Sequence, residues 1–247
     1  MGASQSSQEA FMRGIANLFN STLYSDVQVR CKNGDTYPCH TVVLCTQSKF
    51  LAQALDPKLG SKGSQGNIIT ISDEDPMIVK AVLEFLYRFD YSVPKGMSLE
   101  AQLDLHIRIY NVGKFQDVEG LRDTTKFHFL ALLEETYKRS MFGTAVRLAY
   151  GATTGSDHGL KDILVECAMD KFDELKKDQK FLDVMSEVST FSRDLALAIS
   201  KGKVCENAKV QSSQNRVVYF PNSPNLAIHQ RLYGNLRNFI CNALNLC

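Results

Sequence analysis

The sequence predicts an α+β fold in which helix dominates, and three observations carry that prediction. Val27, Val29 and Cys31 alternate with Gln28 and Arg30, the period of a half-buried strand, and Lys32-Asn33-Gly34-Asp35 then supplies the Asn-Gly signal of a tight hairpin. From Asp75 onward apolar residues recur at helical spacing, one stripe after another. Strands and helices do not alternate regularly, which argues against a doubly wound parallel sheet with a nucleotide site.

Taken in order, residues 8–19 form a short amphipathic helix with Phe11, Ile15, Leu18 and Phe19 on one side. So short a helix is marginal alone and must dock on its own domain or on a partner. The strand at 27–31 and its return at 36–39 follow, while 41–47 is too short to type from its period. Residues 48–55 read as helix through Phe50, Leu51, Ala54 and Leu55, and Pro57, Gly60, Gly63 and Gly66 make 57–67 a loop. Ile68, Ile69 and Ile71 mark a third, largely buried strand. Asp75-Pro76 opens a helix, with a capping carboxylate and a proline suited to the first turn; its stripe is Met77, Ile78, Ala81, Val82, Phe85 and Leu86. Residues 89–94 break it. Helices follow at about 98–112, striped by Leu99, Leu103, Ile107 and Tyr110, and at about 118–133. Further stripes are Met141, Phe142, Ala145, Val146 and Ala149; Leu160, Ile163, Leu164 and Cys167; and Phe181, Met185 and Val188. Beyond about residue 203 the chain turns polar, and 204–247 is expected to be a poorly ordered tail with one further helix at 228–244.

Composition narrows the function classes. The chain has 247 residues, 44% of them hydrophobic, with 14 Phe and 9 Tyr but no Trp, enough for a sizeable core. Net charge is +1, so no global electrostatic attraction to nucleic acid or membrane is expected. Six Lys/Arg against one acid from Lys201 onward give +5, leaving −4 for the rest: a weakly basic tail after a weakly acidic body. Seven cysteines, none in a C-x-x-C pair, together with no signal peptide and no membrane-length apolar run, point to free thiols in a reducing compartment, cytoplasmic and/or nuclear. Met1-Gly2-Ala3-Ser4-Gln5-Ser6 fits the N-myristoylation pattern at Gly2, and a membrane is expected as a partner only if Gly2 is acylated. One acyl chain without a second signal binds membranes marginally.

The most chemically suggestive stretch holds Cys39, His40 and Cys45. Zinc ligands come in pairs two to four residues apart on a turn, whereas Cys39 and His40 are adjacent and on a strand point to opposite faces. As a nucleophile Cys45 lies beside Val42-Val43-Leu44, an apolar setting that keeps a thiol protonated, and no oxyanion donor or orienting group accompanies it. The remaining histidines, His106, His128, His158 and His229, read as isolated structural or solvated residues. Phosphate-binding, hydrolase and metalloprotease motifs are absent. No catalytic residue, cofactor or metal site is expected, and packing remains.

At this point a resemblance enters. "YSDVQVRCKNGDTYPCHTVVLCTQSKFLAQAL" resembles the opening of a BTB/POZ domain: an aspartate at the first strand (Asp26), a hairpin, a histidine entering a core helix (His40), the apolar Val42-Val43-Leu44-Cys45, then Ser48 and Phe50. "ITISDEDPMIVKAVLEFLYRFDYSV" and "LDLHIRIYNVGKFQDVEGLRDTTKFHF" are similar to the family's third strand and later helices. The resemblance covers roughly 20–134 and is nearest to short fungal members. It divides the chain into an N-terminal segment at 1–19, the domain at 20–134, a helical extension at 135–203 and the tail at 204–247. It implies a small, mostly antiparallel sheet capped by helices, Cys45 buried against the later helices, and His40 hydrogen-bonding near Asp26.

It also implies a protein–protein interaction module without enzymatic activity. The homodimer common in the family would use Phe11, Ile15, Leu18 and Phe19. The adaptor role for cullin-based ubiquitin ligases would use Leu59 as apolar contact, although Ser61 stands in Leu59-Gly60-Ser61 where the family carries an acid. A transcription-associated role is the third reading, but neither a zinc-finger pattern nor a basic recognition helix is present, and no nucleic-acid partner is expected.

Overall fold

The computed structural model describes residues 5–56, 67–153 and 157–208. The N-terminal helix is α1 (Gln5–Asn17). Three strands follow, β1 (Val27–Cys31), β2 (Thr36–Cys39) and β3 (Ile68–Ile71), in sheet order β2-β1-β3. β1 pairs antiparallel with β2, Val27 opposite Cys39, and parallel with β3, Gln28 opposite Ile68. The sheet is therefore mixed where a mostly antiparallel one was expected. The hairpin forces β2 to reverse direction, but β3 arrives after a long connection, which leaves it free to run with β1. β3 also buries less than expected, with Ile69 buried and Ile68 and Ile71 half-buried, because it is an edge strand.

Local chemistry sets the turns. Gly34 sits at φ +90, the left-handed region glycine tolerates, and the loop closes through Gly34 N–H to the Cys31 carbonyl at 3.0 Å and Cys31 N–H to the Asp35 carbonyl at 2.8 Å. The segment 41–47 folds as α2 (Thr41–Gln47), and α3 (Lys49–Ala54) follows after a break at Ser48. Ser48 is extended at φ −135; its hydroxyl accepts from Leu51 N–H and donates to the Gln116 carbonyl at 3.0 Å.

α4 (Pro76–Arg88) starts as anticipated, with the Asp75 carboxylate accepting from Met77 N–H. It is enclosed almost all round: 81–87 are all buried, whereas Met77 of the expected stripe faces solvent. The buried Glu84 carboxylate accepts from Arg88 at 2.7 Å and from the Ser92 amide and hydroxyl. Phe89 ends the helix at φ 57.

α5 (Leu99–Phe115) is the hinge between two apolar cores. Leu105, Ile109 and Val112 join a first core with β1, α2 and α4, while Leu103, Ile107 and Tyr110 join a second. The second core is built with α6 (Glu119–Lys138), α7 (Phe142–Ala152), α8 (Gly159–Asp170), α9 (Phe172–Leu175), α10 (Gln179–Glu187) and α11 (Ser189–Ala208). α6 runs unbroken through residue 134 and α11 through residue 203. Residues 209–247, including the expected helix at 228–244, lie outside the described residues, as do Gly2 and Leu59.

Candidate interaction surface

The stretch at 37–50 becomes a sealed junction. Cys39 ends β2, 1% exposed, and burial pushes its thiol up to about 12. Cys31 and Cys45 are likewise raised, chiefly by burial and secondarily by Asp35 and Asp26 respectively. Thiols that stay protonated at neutral pH are poor nucleophiles and poor metal ligands. Among the described residues no group of three or more His, Cys, Asp or Glu is placed to hold a metal ion. Cys45 is only half-buried, contrary to the expected burial, because Val43 and Leu44 take the inward side of α2 and Cys45 is turned away from it.

His40 is buried, but its partners are not the expected Asp26. Its Nδ1 lies 2.8 Å from the Tyr87 hydroxyl and its Nε2 2.8 Å from the Leu23 carbonyl. The carbonyl can only accept, so Nε2 carries the proton and Tyr87 O–H donates to Nδ1. The same hydroxyl accepts from His40 N–H at 2.9 Å. Asp26 instead accepts from Thr41 N–H at 2.7 Å, satisfying an open donor of α2. Of the other fold-signature residues, Leu44 is fully buried and Ser48 is 1% exposed, while Phe50 is 38% exposed.

Beside this junction lies an apolar surface. Ile15, Leu18 and Phe19 pack against the first core; the Phe19 ring lies 5.9 Å from Tyr87 and the Arg88 guanidinium 4.9 Å over Phe19. Phe11 stays outside, 67% exposed. The turn after α1 leaves Leu23 56% and Tyr24 82% exposed, and Val42 on α2 is 68% exposed. Sequence reasoning missed Leu23, Tyr24 and Val42. Val42 lies in an apolar run that reads as core, and Leu23-Tyr24 falls between periodic segments.

A second exposed feature lies where α3 begins and α5 ends. Phe50 and Phe115 pair with ring centroids 5.4 Å apart, Phe115 being 73% exposed, and Lys49 meets Asp117 at 2.6 Å beside them. Two of the histidines read as isolated, His106 and His128, prove otherwise, while His229 lies outside the described residues. His106 and His128 stack at 5.4 Å with planes 6° apart, because α5 and α6 form a tight antiparallel pair. His106 Nδ1 meets the Tyr91 hydroxyl at 2.7 Å, and His128 Nε2 meets Asp90 at 2.7 Å.

Comparison with known proteins places this architecture. Residues 15–118 match the family model of the BTB/POZ domain. The chain contains a BTB/POZ domain. That span holds the sheet, α2 to α5 and nearly all of the first core. A BTB/POZ domain-containing protein of Arabidopsis thaliana is 23% identical over 195 residues, covering 77% of this chain and 80% of its own length, so the similarity continues beyond the BTB/POZ domain. Among solved structures, the BTB domain of zebrafish PATZ1 matches with TM-score 0.39 and 16% identity, over 56% of this chain and 97% of that one. The BTB domain of human gigaxonin matches with TM-score 0.39 and 10% identity, over 51% and 92%. BTB/POZ domains are protein–protein interaction modules and generally not enzymes.

Proposed function

We propose that this BTB/POZ protein self-associates through its N-terminal face and presents its remaining surface to other proteins. The observation that carries the reading is the set of apolar side chains left in solvent there: Phe11, Leu23, Tyr24 and Val42. Large apolar side chains left in solvent become contacts where a partner covers them. BTB/POZ domains typically self-associate, which favours a second copy as the occupant. Ile15, Leu18 and Phe19 act indirectly, by seating α1 on its own core. The test is light scattering of the purified chain over a dilution series, where a dimer is expected that Phe11→Asp dissociates. Monomer alone at high micromolar concentration would end the proposal.

The adaptor reading has one supporting feature, the exposed apolar Phe50–Phe115 pair at the start of α3 and the end of α5. A purified cullin N-terminal domain should be retained by the chain at micromolar concentration and lost with Phe115→Asp; no retention by the parent chain would remove this reading.

A further inference from the structure

We propose that the cleft between α3, β3, α4 and the end of α5 is a binding site for an alkylammonium, the side chain of a lysine presented by a partner protein. The cleft shares no residue with the N-terminal face and stands independently of self-association.

The cleft encloses about 300 Å³, counting the space open to solvent. Leu51, Ile78, Val79, Val82 and Val112 give it apolar walls, and two polar residues, Gln116 and Glu74, also line it. Gln116 is 7% exposed, and its side-chain Oε1 is buried without a hydrogen-bond partner. Leaving a buried acceptor unpaired is costly, and folded proteins seldom do it. The Tyr137 hydroxyl shares that status among the described residues, but the Cys167 thiol lies beside it. The residues that line the cleft with Gln116 are aliphatic or, at Glu74, a carboxylate, so none of them donates. An incoming N–H or O–H is what satisfies Oε1. The backbone of Gln116 is held on both sides, its N–H bonding the Val112 carbonyl at 2.8 Å and its carbonyl accepting from Ser48 Oγ at 3.0 Å. The acceptor is therefore pre-organised before a ligand arrives.

The charge of the donor follows from the surroundings. Arg108 lies 3.7 Å from Glu74, 3.8 Å from Asp75 and 4.0 Å from Asp104, so three acids share one guanidinium and that end of the cleft is net negative. Gln116 caps the C-terminus of α5, the helix end whose dipole favours a cation. A cation with a slim apolar stem meets every one of these conditions. Lysine buries its methylene stem along apolar surface and carries three donors at its tip.

Methyl NMR of the full chain reads the cleft directly, with n-butylammonium as the probe for the stem and head of lysine. The Leu51, Ile78, Val82 and Val112 methyls should shift in a saturable titration. 1-Butanol keeps the stem and a neutral donor and should bind about fivefold more weakly or worse, since charge-assisted hydrogen bonds are roughly twice as strong as neutral ones. Butyrate should not bind. Nα-acetyl-lysine methylamide should bind at least as tightly as butylammonium, and binding of the free amine alone would overturn a partner lysine as the occupant. Gln116→Leu should abolish butylammonium binding while the melting temperature holds or rises, because the orphaned acceptor is gone. Glu74→Gln, at a half-exposed position, should bring butylammonium down to the level of butanol. If Gln116→Leu does not fold, the ranking of the three butyl probes on the parent decides. No methyl shifts, equal binding of the three probes, or undiminished binding by folded Gln116→Leu overturns the inference, whether or not the chain dimerises.

Discussion

His40 shows how one side chain's role follows from what its two nitrogens meet. Flanked by thiols in the chain, it suggested chemistry; in the fold it faces a carbonyl and a phenol and acts as a strut. His106 is a different case, buried with burial as the main cause and the His128 charge as the second, which together bring its pKa down to about 3. The sign follows directly. The unfolded chain binds a proton at His106 below its ordinary value near 6.5, and the folded chain refuses it until about pH 3, so stability is complete above 6.5 and falls as pH drops through that window. The slope is at most about 1.4 kcal/mol per pH unit. Urea unfolding at pH 7 and pH 5 should show a loss of roughly 2 kcal/mol for the parent chain. His106→Asn, neutral throughout, should be less stable at pH 7 but lose markedly less on acidification; an equal loss would locate the acid sensitivity elsewhere.

Among elements, helices are seated by how closely their backbones approach. A Cβ at Gly143 would lie 2.9 Å from Val184 Cγ2 and 3.1 Å from the Lys180 carbonyl, so α7 meets α10 at a distance only glycine allows. Gly143→Ala should cost about 1–3 kcal/mol in chemical unfolding. Gly151, on the same helix, has nothing within 4 Å of its Cβ position. Gly151→Ala should be neutral or stabilise by up to about 1 kcal/mol, since alanine is the better helix former. Similar costs at both sites would mean that helix propensity and not packing sets the effect. Element boundaries were visible wherever a side chain makes them: Asp75 capping α4, Ser98 capping α5, Gly34 in the hairpin. The break between α2 and α3 was harder to see, because Ser48 earns its place through the Gln116 carbonyl, 68 residues away.

For the whole molecule, the arrangement that matters is two cores sharing α5. The expected stripe on that helix, Leu99, Leu103, Ile107 and Tyr110, is the face of the second core; the other face, Leu105, Ile109 and Val112, belongs to the BTB/POZ core and was not anticipated. A fragment ending at residue 118, where the family match ends, would bare Leu103, Ile107 and Tyr110. That fragment should bind a hydrophobic dye strongly and self-associate without saturation, whereas residues 1–208 should do neither beyond the proposed dimer. A dye-silent, well-behaved 1–118 fragment would show that the first core is sufficient.

Helix and strand periods, the hairpin, the caps and the family signature are local patterns, because each depends on the spacing of residues a few positions apart, and the chain order displays that spacing directly. Which face of α5 meets which core, whether β3 runs with or against β1, which histidines stack, and which apolar residues stay in solvent depend on partners tens of residues away. Burial is a property of the assembled chain: Val42 and Val43 are the same residue type side by side, and folding leaves one in water and places the other in the core.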